Sequence, residues 1–129
     1  MELKIATEHQ RQVIDITDQV EKMVKDDASS VSVFVAHTTC AVTTADLDPG
    51  AGEDLVAAVW EMIPKLDYSR HHDTSHMPAH IAASIIGPSV SVPARDGKLV
   101  LGSWQRIVLM ELDGPRERTL VITQHKSGE

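Results

Sequence analysis

The chain has one cysteine, Cys40, among its 129 residues. No internal disulfide can form, so the fold must be held by burial and hydrogen bonding. Aromatic residues are scarce too, at 3%, which leaves Val, Ile, Leu, Ala and Met to build the core. Positive charge is sparse. Lys and Arg number 12 against 19 Asp and Glu, a formal net charge of -7, and of the basic residues only Arg116 and Arg118 stand close together. Without a basic cluster the phosphate-neutralising contribution to nucleic-acid binding is missing, so nucleic acid is not an expected partner. No apolar run approaches the roughly 20 residues of a membrane-spanning helix. The opening MELKIATEHQ has no basic segment followed by an apolar one, so it does not read as a signal peptide. The expected location is the cytoplasm, with no membrane partner. Gly50 and Gly52 match neither the Walker nor the dinucleotide-binding fingerprint.

What is present fits a globular chain: 42% of residues are apolar and 24% charged. The length suits one domain, residues 1–129. Residues 2–7 and 11–17 read as two strands joined by a short turn. Thr17 can cap a helix over about 18–27, and residues 31–36 (VSVFVA) are a β-branched, apolar strand. Residues 40–44 continue or re-enter a sheet. Asp48-Pro49 predicts a helix start, an N-cap acceptor followed by proline at the first helical position. That helix covers about 49–63, with Leu55, Val56, Val59, Met62 and Ile63 as its buried stripe. Residues 65–77 lack periodicity and read as a loop, and Pro78 opens a second helix that Gly87-Pro88 ends. The last third alternates like strands, with hairpin turns expected at Asp96-Gly97 and Asp113-Gly114. The sum is α+β: a single compact domain, mainly antiparallel sheet with two or three covering helices.

Three stretches could carry chemistry. The first is FVAHTTCAVTTADLDP, residues 34–49, an apolar strand that turns polar before a helix. Its hydroxyls and the free helix amides could bind an anion, and Asp46 and Asp48 could hold a hard cation. Threonine β-propensity and helix capping explain the same residues without a ligand. The second is RHHDTSHMPAH, residues 70–80, which holds four of the seven histidines. His76 and His80 have the i, i+4 spacing of a metal pair, but Pro78 places His76 before the helix. The third is residues 101–118. Period-2 alternation puts Glu111 on one strand face with Ile107 and Leu109. A carboxylate there needs a partner, and Arg116 or Arg118 could reach it. It is either a structural ion pair or the floor of a polar pocket. Trp104 offers a flat surface for an aromatic ring or simply packs. Cys40 follows an apolar strand and reads as a packed thiol.

HTTCAVTTADLDP, MPAHIAASIIGPSVSVP and DGKLVLGSWQRIVLMELDGPR resemble, in order, the signature blocks of the YjbQ family, whose members are often labelled secondary thiamine-phosphate synthases. The resemblance runs from about Val31 to the C-terminus, and its GxLxLGxWQ block and DGPR turn are the specific parts. It implies a compact α+β domain that assembles as a homotrimer. It also implies a modest activity that joins a pyrimidine diphosphate to a thiazole phosphate and releases diphosphate. The family's recurring polar positions fall on His37, Thr38, Thr39, His80, Trp104, Gln105, Glu111 and Arg116. Two positions depart from the family pattern. Ala45-Asp46 stands where Asn-Glu is usual, and His76 stands where Asn is usual.

On that basis His37, Asp46 and Glu111 are the expected catalytic residues. Thr38, Thr39, Trp104, Gln105 and Arg116 are expected to bind a small phosphorylated metabolite. His80, His37 and His76 are the expected ligands of a divalent metal, Mg²⁺ or Zn²⁺. The alternative is a non-catalytic trimer that binds a small anion or a metal. His71 and His72, beside Arg70 and Asp73, are expected to matter little.

Overall fold

The computed structural model describes residues 1–64, 66–70 and 75–127. In chain order the elements are β1 (Glu2–Ala6), β2 (Gln12–Asp15), α1 (Thr17–Glu21), β3 (Ala28–Val35), β4 (Cys40–Ala45), α2 (Ala51–Met62), α3 (Met77–Ile86), β5 (Ser89–Arg95), β6 (Lys98–Leu99), β7 (Arg106–Glu111) and β8 (Glu117–Lys126). The strands form two antiparallel sheets. One has the order β1-β8-β3-β5-β6 and the other β2-β7-β4.

The apolar pattern dictates three layers. Val31, Val33 and Val35 of β3 and Leu120 and Ile122 of β8 alternate inward. They meet Val42 of β4 and Ile107 and Leu109 of β7 in one buried cluster. The opposite face of the small sheet, with Ala41 and Met110, is covered by Ala79, Ala82 and Ala83 of α3 and by Leu55, Val56 and Val59 of α2. The three-stranded sheet is therefore the middle layer, and its central strand β7 is apolar on both faces because both faces are buried. Each such branched side chain contributes about 1.5–3 kcal/mol on burial. Small alanines on α3 let that helix approach closely.

Several local expectations are revised. Helix α1 stops at Glu21, and Thr17 lies inside it; its hydroxyl bonds Asp15 and the Ile107 amide rather than capping. Helix α2 begins at Ala51, not at residue 49. Its N-cap is Gly50, with φ 87°, and no side chain caps it. The Asp48 carbonyl accepts from the Ala51 amide at 2.8 Å, a tight turn that needs the left-handed glycine. Met62, expected in the buried stripe, is exposed, whereas Ile63 is buried. The Asp96-Gly97 turn forms as expected between β5 and β6, with positive φ at both residues.

The Asp113-Gly114 turn is not a hairpin. β7 pairs with β2 and β4, while β8 pairs with β1 and β3. Residues 112–116 instead carry the chain from the small sheet across to the large one. Gly114 is enclosed there. A Cβ at that position would lie 2.4 Å from the His9 carbonyl oxygen and 2.8 Å from Glu111 Cγ, so only glycine fits without displacing backbone.

Candidate functional site

Where the chain crosses between sheets, a charged pair is sealed into the core. Glu111 ends β7 and points toward the large sheet, as its alternation with Ile107 and Leu109 requires. Arg118 lies on the inward face of β8. Both side chains are essentially inaccessible, at 0% and 1% exposure. Arg118 Nε donates to Glu111 Oε1 at 2.8 Å, and Arg118 Nη2 donates to Oε2. The Thr7 hydroxyl donates to Oε1 at 2.8 Å, and the amides of Leu112 and Asp113 donate to Oε2, each at 3.0 Å. Arg118 Nη2 also reaches the hydroxyl and carbonyl oxygen of Thr39. Among the described residues no buried side-chain nitrogen or oxygen lacks a partner. Burial pushes the Glu111 carboxyl up, but Arg118, the Asp113 amide and Thr7 outweigh it and hold it below the usual carboxylate range. The pair is a structural junction between sheets, and its Arg118 also lines the neighbouring pocket.

Directly beside the junction an open pocket of about 780 Å³ is lined by His37, Thr38, Thr39, His76, His80, Asp113 and Arg116, together with Ala36, Glu117 and Arg118. Its size is that of a small-molecule site. Three pieces of backbone build it: the link from β3 to β4, the start of α3, and the crossing between β7 and β8. His76 is the N-cap of α3, with Pro78 in the first turn, so both His76 and His80 face the pocket although one precedes the helix proper. His76 Nδ1 lies 2.7 Å from Asp113 Oδ2. The same oxygen accepts from Arg116 Nη2 at 3.1 Å, and Arg116 Nε donates to the Asp113 carbonyl at 2.8 Å. Arg116 is thus pinned by two bonds on one edge. Its remaining N–H groups have no partner among the described residues.

His37 is held from behind. The Thr119 amide donates to His37 Nε2 at 2.9 Å, one step beyond the point where the β3–β8 ladder ends with Ala36 N–H on the Thr119 carbonyl. Burial, helped by Arg118, lowers the His37 pKa below the ordinary histidine value.

The expected site residues divide into two groups. His37, Thr38, Thr39, His76, His80 and Arg116 come together. Asp46, Trp104 and Gln105 do not join them. Cys40 of β4 pairs with Glu111, and Ala45 pairs with Arg106, so Asp46 lies the length of β4 away, roughly 20 Å. Gln105 sits at that far end, donating to Thr44 Oγ1 at 3.2 Å, and Trp104 beside it is 73% exposed. Asp46 is exposed and folds onto its own loop, accepting from the Asp48 amide. Sequence reasoning missed Asp113, whose place in the DGPR block was its only signal.

The expected metal site is not assembled by the described residues. No three of their His, Cys, Asp and Glu side chains gather at ligand distance. His37 Nε2 has spent its lone pair on an amide, and His76 Nδ1 is engaged with Asp113. His71, His72 and Asp73 lie outside the described residues. Cys40 is buried, and burial drives its thiol up to about 12, which makes it inert.

Comparison with known proteins settles the family. The model of the UPF0047 protein YjbQ-like family matches residues 1–127. The chain belongs to the YjbQ family. A UPF0047 protein of Archaeoglobus fulgidus is 39% identical over 123 residues, which is 95% of this chain and 98% of that one. YugU of Bacillus subtilis, another UPF0047 protein, is 32% identical over 124 residues, covering 93% and 94%. A solved YjbQ/UPF0047 structure from Clostridium acetobutylicum, described as an uncharacterized conserved protein, superposes with a TM-score of 0.87 at 33% identity, covering 97% and 99% of the two chains. A hypothetical protein from Aeropyrum pernix superposes at 0.88, also at 33% identity, covering 98% of each. The match extends the resemblance seen in the sequence back through β1 and β2. No helix among the described residues of this YjbQ protein is long and apolar enough to cross a membrane.

Proposed function

We propose that the pocket binds the phosphate or diphosphate group of a small metabolite, and that the chain carries a weak thiamine-phosphate-synthase-like activity of the kind the family resemblance implies. The observation that carries the reading is Arg116. Its guanidinium is fixed by Asp113 at the pocket wall and keeps N–H groups for a ligand. A preorganised guanidinium fork suits phosphate oxygens. Asp113, the carboxylate beside it, is already bonded by Arg116 and His76, and Glu117 pairs with Lys4. Both carboxylates that line the pocket thus have cationic or imidazole partners, and Arg116 adds donors that are not spent on them.

The proposed reaction suits a pocket whose firmly held imidazole, His37, has no lone pair to offer. The thiazole nitrogen attacks the pyrimidine methylene carbon with its own lone pair. The carbon–nitrogen bond forms as the carbon–oxygen bond breaks, and the bonding pair leaves with diphosphate. No proton has to move. What the protein must supply is alignment and stabilisation of charge growing on the leaving group. Arg116 and His37 supply the second. Asp46 and Glu111 have no part in that scheme within one chain.

Diphosphate release from the pyrimidine diphosphate, measured with and without the thiazole phosphate, tests the reading. Release that depends on the second substrate and falls in Arg116→Ala supports it. Binding of inorganic diphosphate without turnover favours the alternative, a non-catalytic anion-binding protein. One observation speaks for that alternative: the aromatic surface expected for a second ring, Trp104, lies at the far end of β4. A homotrimer belongs to the same proposal, because a second copy is what would bring Asp46, Trp104 and Gln105 to the pocket. Sedimentation at micromolar concentration tests it, and a stable monomer overturns it.

A further inference from the structure

His37 lies at the pocket wall, half-buried, and its ring has two nitrogens with different surroundings. Nε2 accepts the Thr119 amide at 2.9 Å. An amide can only donate, so Nε2 must offer a lone pair. A neutral imidazole has one lone pair and one N–H, so the proton is on Nδ1. Nδ1 has no partner among the described residues, yet no buried side-chain nitrogen there is left unpartnered. Nδ1 therefore reaches open space, and the space beside this ring is the pocket.

We propose that His37 is a fixed, uncharged hydrogen-bond donor whose Nδ1–H contacts an anionic oxygen of the bound phosphate or diphosphate. This rests on the anion-binding reading above and assigns the ring one role among three. As a metal ligand it would need a lone pair toward the pocket, which this tautomer does not have. As a general base it fails for the same reason. As a cation it would have to turn the Thr119 amide against a second N–H, which breaks the bond and strands a partly buried donor.

The surroundings favour the uncharged ring. Arg118 and Glu111 lie beneath it, Arg116 and Asp113 beside it on the crossing, Lys4 and Glu117 on β1 and β8, and His76 and His80 on α3. The Glu111 charge, which would stabilise an imidazolium, is committed to Arg118. Burial and the nearby arginines lower the ring's basicity. A neutral donor has a use here. It holds phosphate oxygens without adding a charge whose presence would vary with pH, and its position is set by the sheet rather than by a mobile side chain.

Two-bond ¹⁵N–¹H correlation spectra of the intact protein test this, with His37 assigned from a His37→Phe variant. The expected spectrum shows a proton on Nδ1 and a bare Nε2, unchanged as pH falls from 8 to about 6.5, the ordinary histidine value. Inorganic diphosphate should shift the Nδ1–H signal, and His37→Phe should bind diphosphate about tenfold or more weakly. A proton on Nε2 overturns the proposal. So does a stoichiometric zinc effect on Nδ1, or Arg116-dependent diphosphate binding that leaves the His37 signals unmoved. If diphosphate does not bind at all, the anion reading falls and the ligand named here falls with it. The tautomer spectrum still decides the state of the ring.

Discussion

Arg116 and Arg118 are two residues apart and do opposite things. Arg118 is sealed between the sheets, and its fork is spent on Glu111 and Thr39. Arg116 stands at the mouth of a pocket, held along one edge by Asp113. The strand period separates them less than the crossing does. Arg118 is already on β8 with its side chain inward, while Arg116 belongs to the link that leaves β7. The contrast shows how a core ion pair and a pocket-facing cation can share one short segment. The buried pair fixes the crossing, and the crossing presents Asp113 and Arg116.

The largest expected effect breaks the buried side of this comparison. Both Glu111 oxygens accept only from donors: Thr7, Arg118 and two amides. A glutamine there turns an NH₂ toward N–H groups and leaves Arg118 charged without a counterion. Glu111→Gln should lose about 3–5 kcal/mol of stability, the usual cost of breaking a buried pair, read from denaturant unfolding. From the sequence alone the same change looks mainly functional, because the pattern shows the face but not the depth. The wild type has a pH signature as well. A depressed carboxyl pKa stabilises the fold above the ordinary glutamate value of about 4.3 and loses that contribution as pH falls below it. Glu111→Gln should flatten that part of the profile.

How far this was legible in the sequence depends on the range of the interaction. Alternation along β7 placed Glu111 with Ile107 and Leu109, and the structure keeps that grouping. Proline and glycine punctuation found both long helices to within a few residues. What alternation could not show is the partner sheet. Asp113-Gly114 between two strand-like runs has the local chemistry of a hairpin, yet those strands belong to different layers. Taken alone, apolar residues on both faces of a strand such as β7 fit burial against other copies of the chain equally well. Helices α2 and α3 already cover the second face, so this pattern no longer argues for a trimer. The histidines illustrate the same limit. Spacing put His76 and His80 together, but only the fold shows that Asp113 and the Thr119 amide fix what His76 and His37 can do.

A smaller loss is expected from the glycine that lets the crossing pass so close. In Gly114→Ala the new methyl group meets the His9 carbonyl and Glu111 Cγ inside van der Waals contact. The backbone must shift, at an overpacking cost of about 1–3 kcal/mol in thermal or denaturant unfolding. Because the shift moves Asp113, diphosphate affinity should weaken as well. An alanine variant of wild-type stability would mean the crossing is looser than its contacts indicate.

Arg116→Ala sharpens the comparison from the other side. Arg116 is about half exposed, and Asp113, though mostly buried, keeps His76 as a second partner, so losing the pair should cost only about 1 kcal/mol. Unfolding should barely change. Affinity for inorganic diphosphate, by titration calorimetry, should fall about 10- to 100-fold, the range for losing hydrogen bonds to a charged group. Stability lost without affinity lost would reverse the roles assigned to the two arginines.

The smallest effect is expected at the far end of β4. Trp104 is exposed, and Gln105 is occupied with Thr44 and the Gly102 amide. Within one chain neither can touch a group bound near His37, since β4 spans the distance between them. Trp104→Ala should change stability by no more than about 0.5 kcal/mol, as surface substitutions do, and should leave the affinity for inorganic diphosphate unchanged. Its informative readout is the ring-bearing pyrimidine diphosphate. If the pocket is complete in one chain, that ligand also binds the variant normally. If its affinity alone drops, the aromatic surface comes from a second copy. The drop should then disappear on dilution below the concentration at which the assembly dissociates. Testing both ligands on one variant therefore separates the proposed anion half of the site, at Arg116 and His37, from a proposed ring-binding half that would need a second copy of the chain.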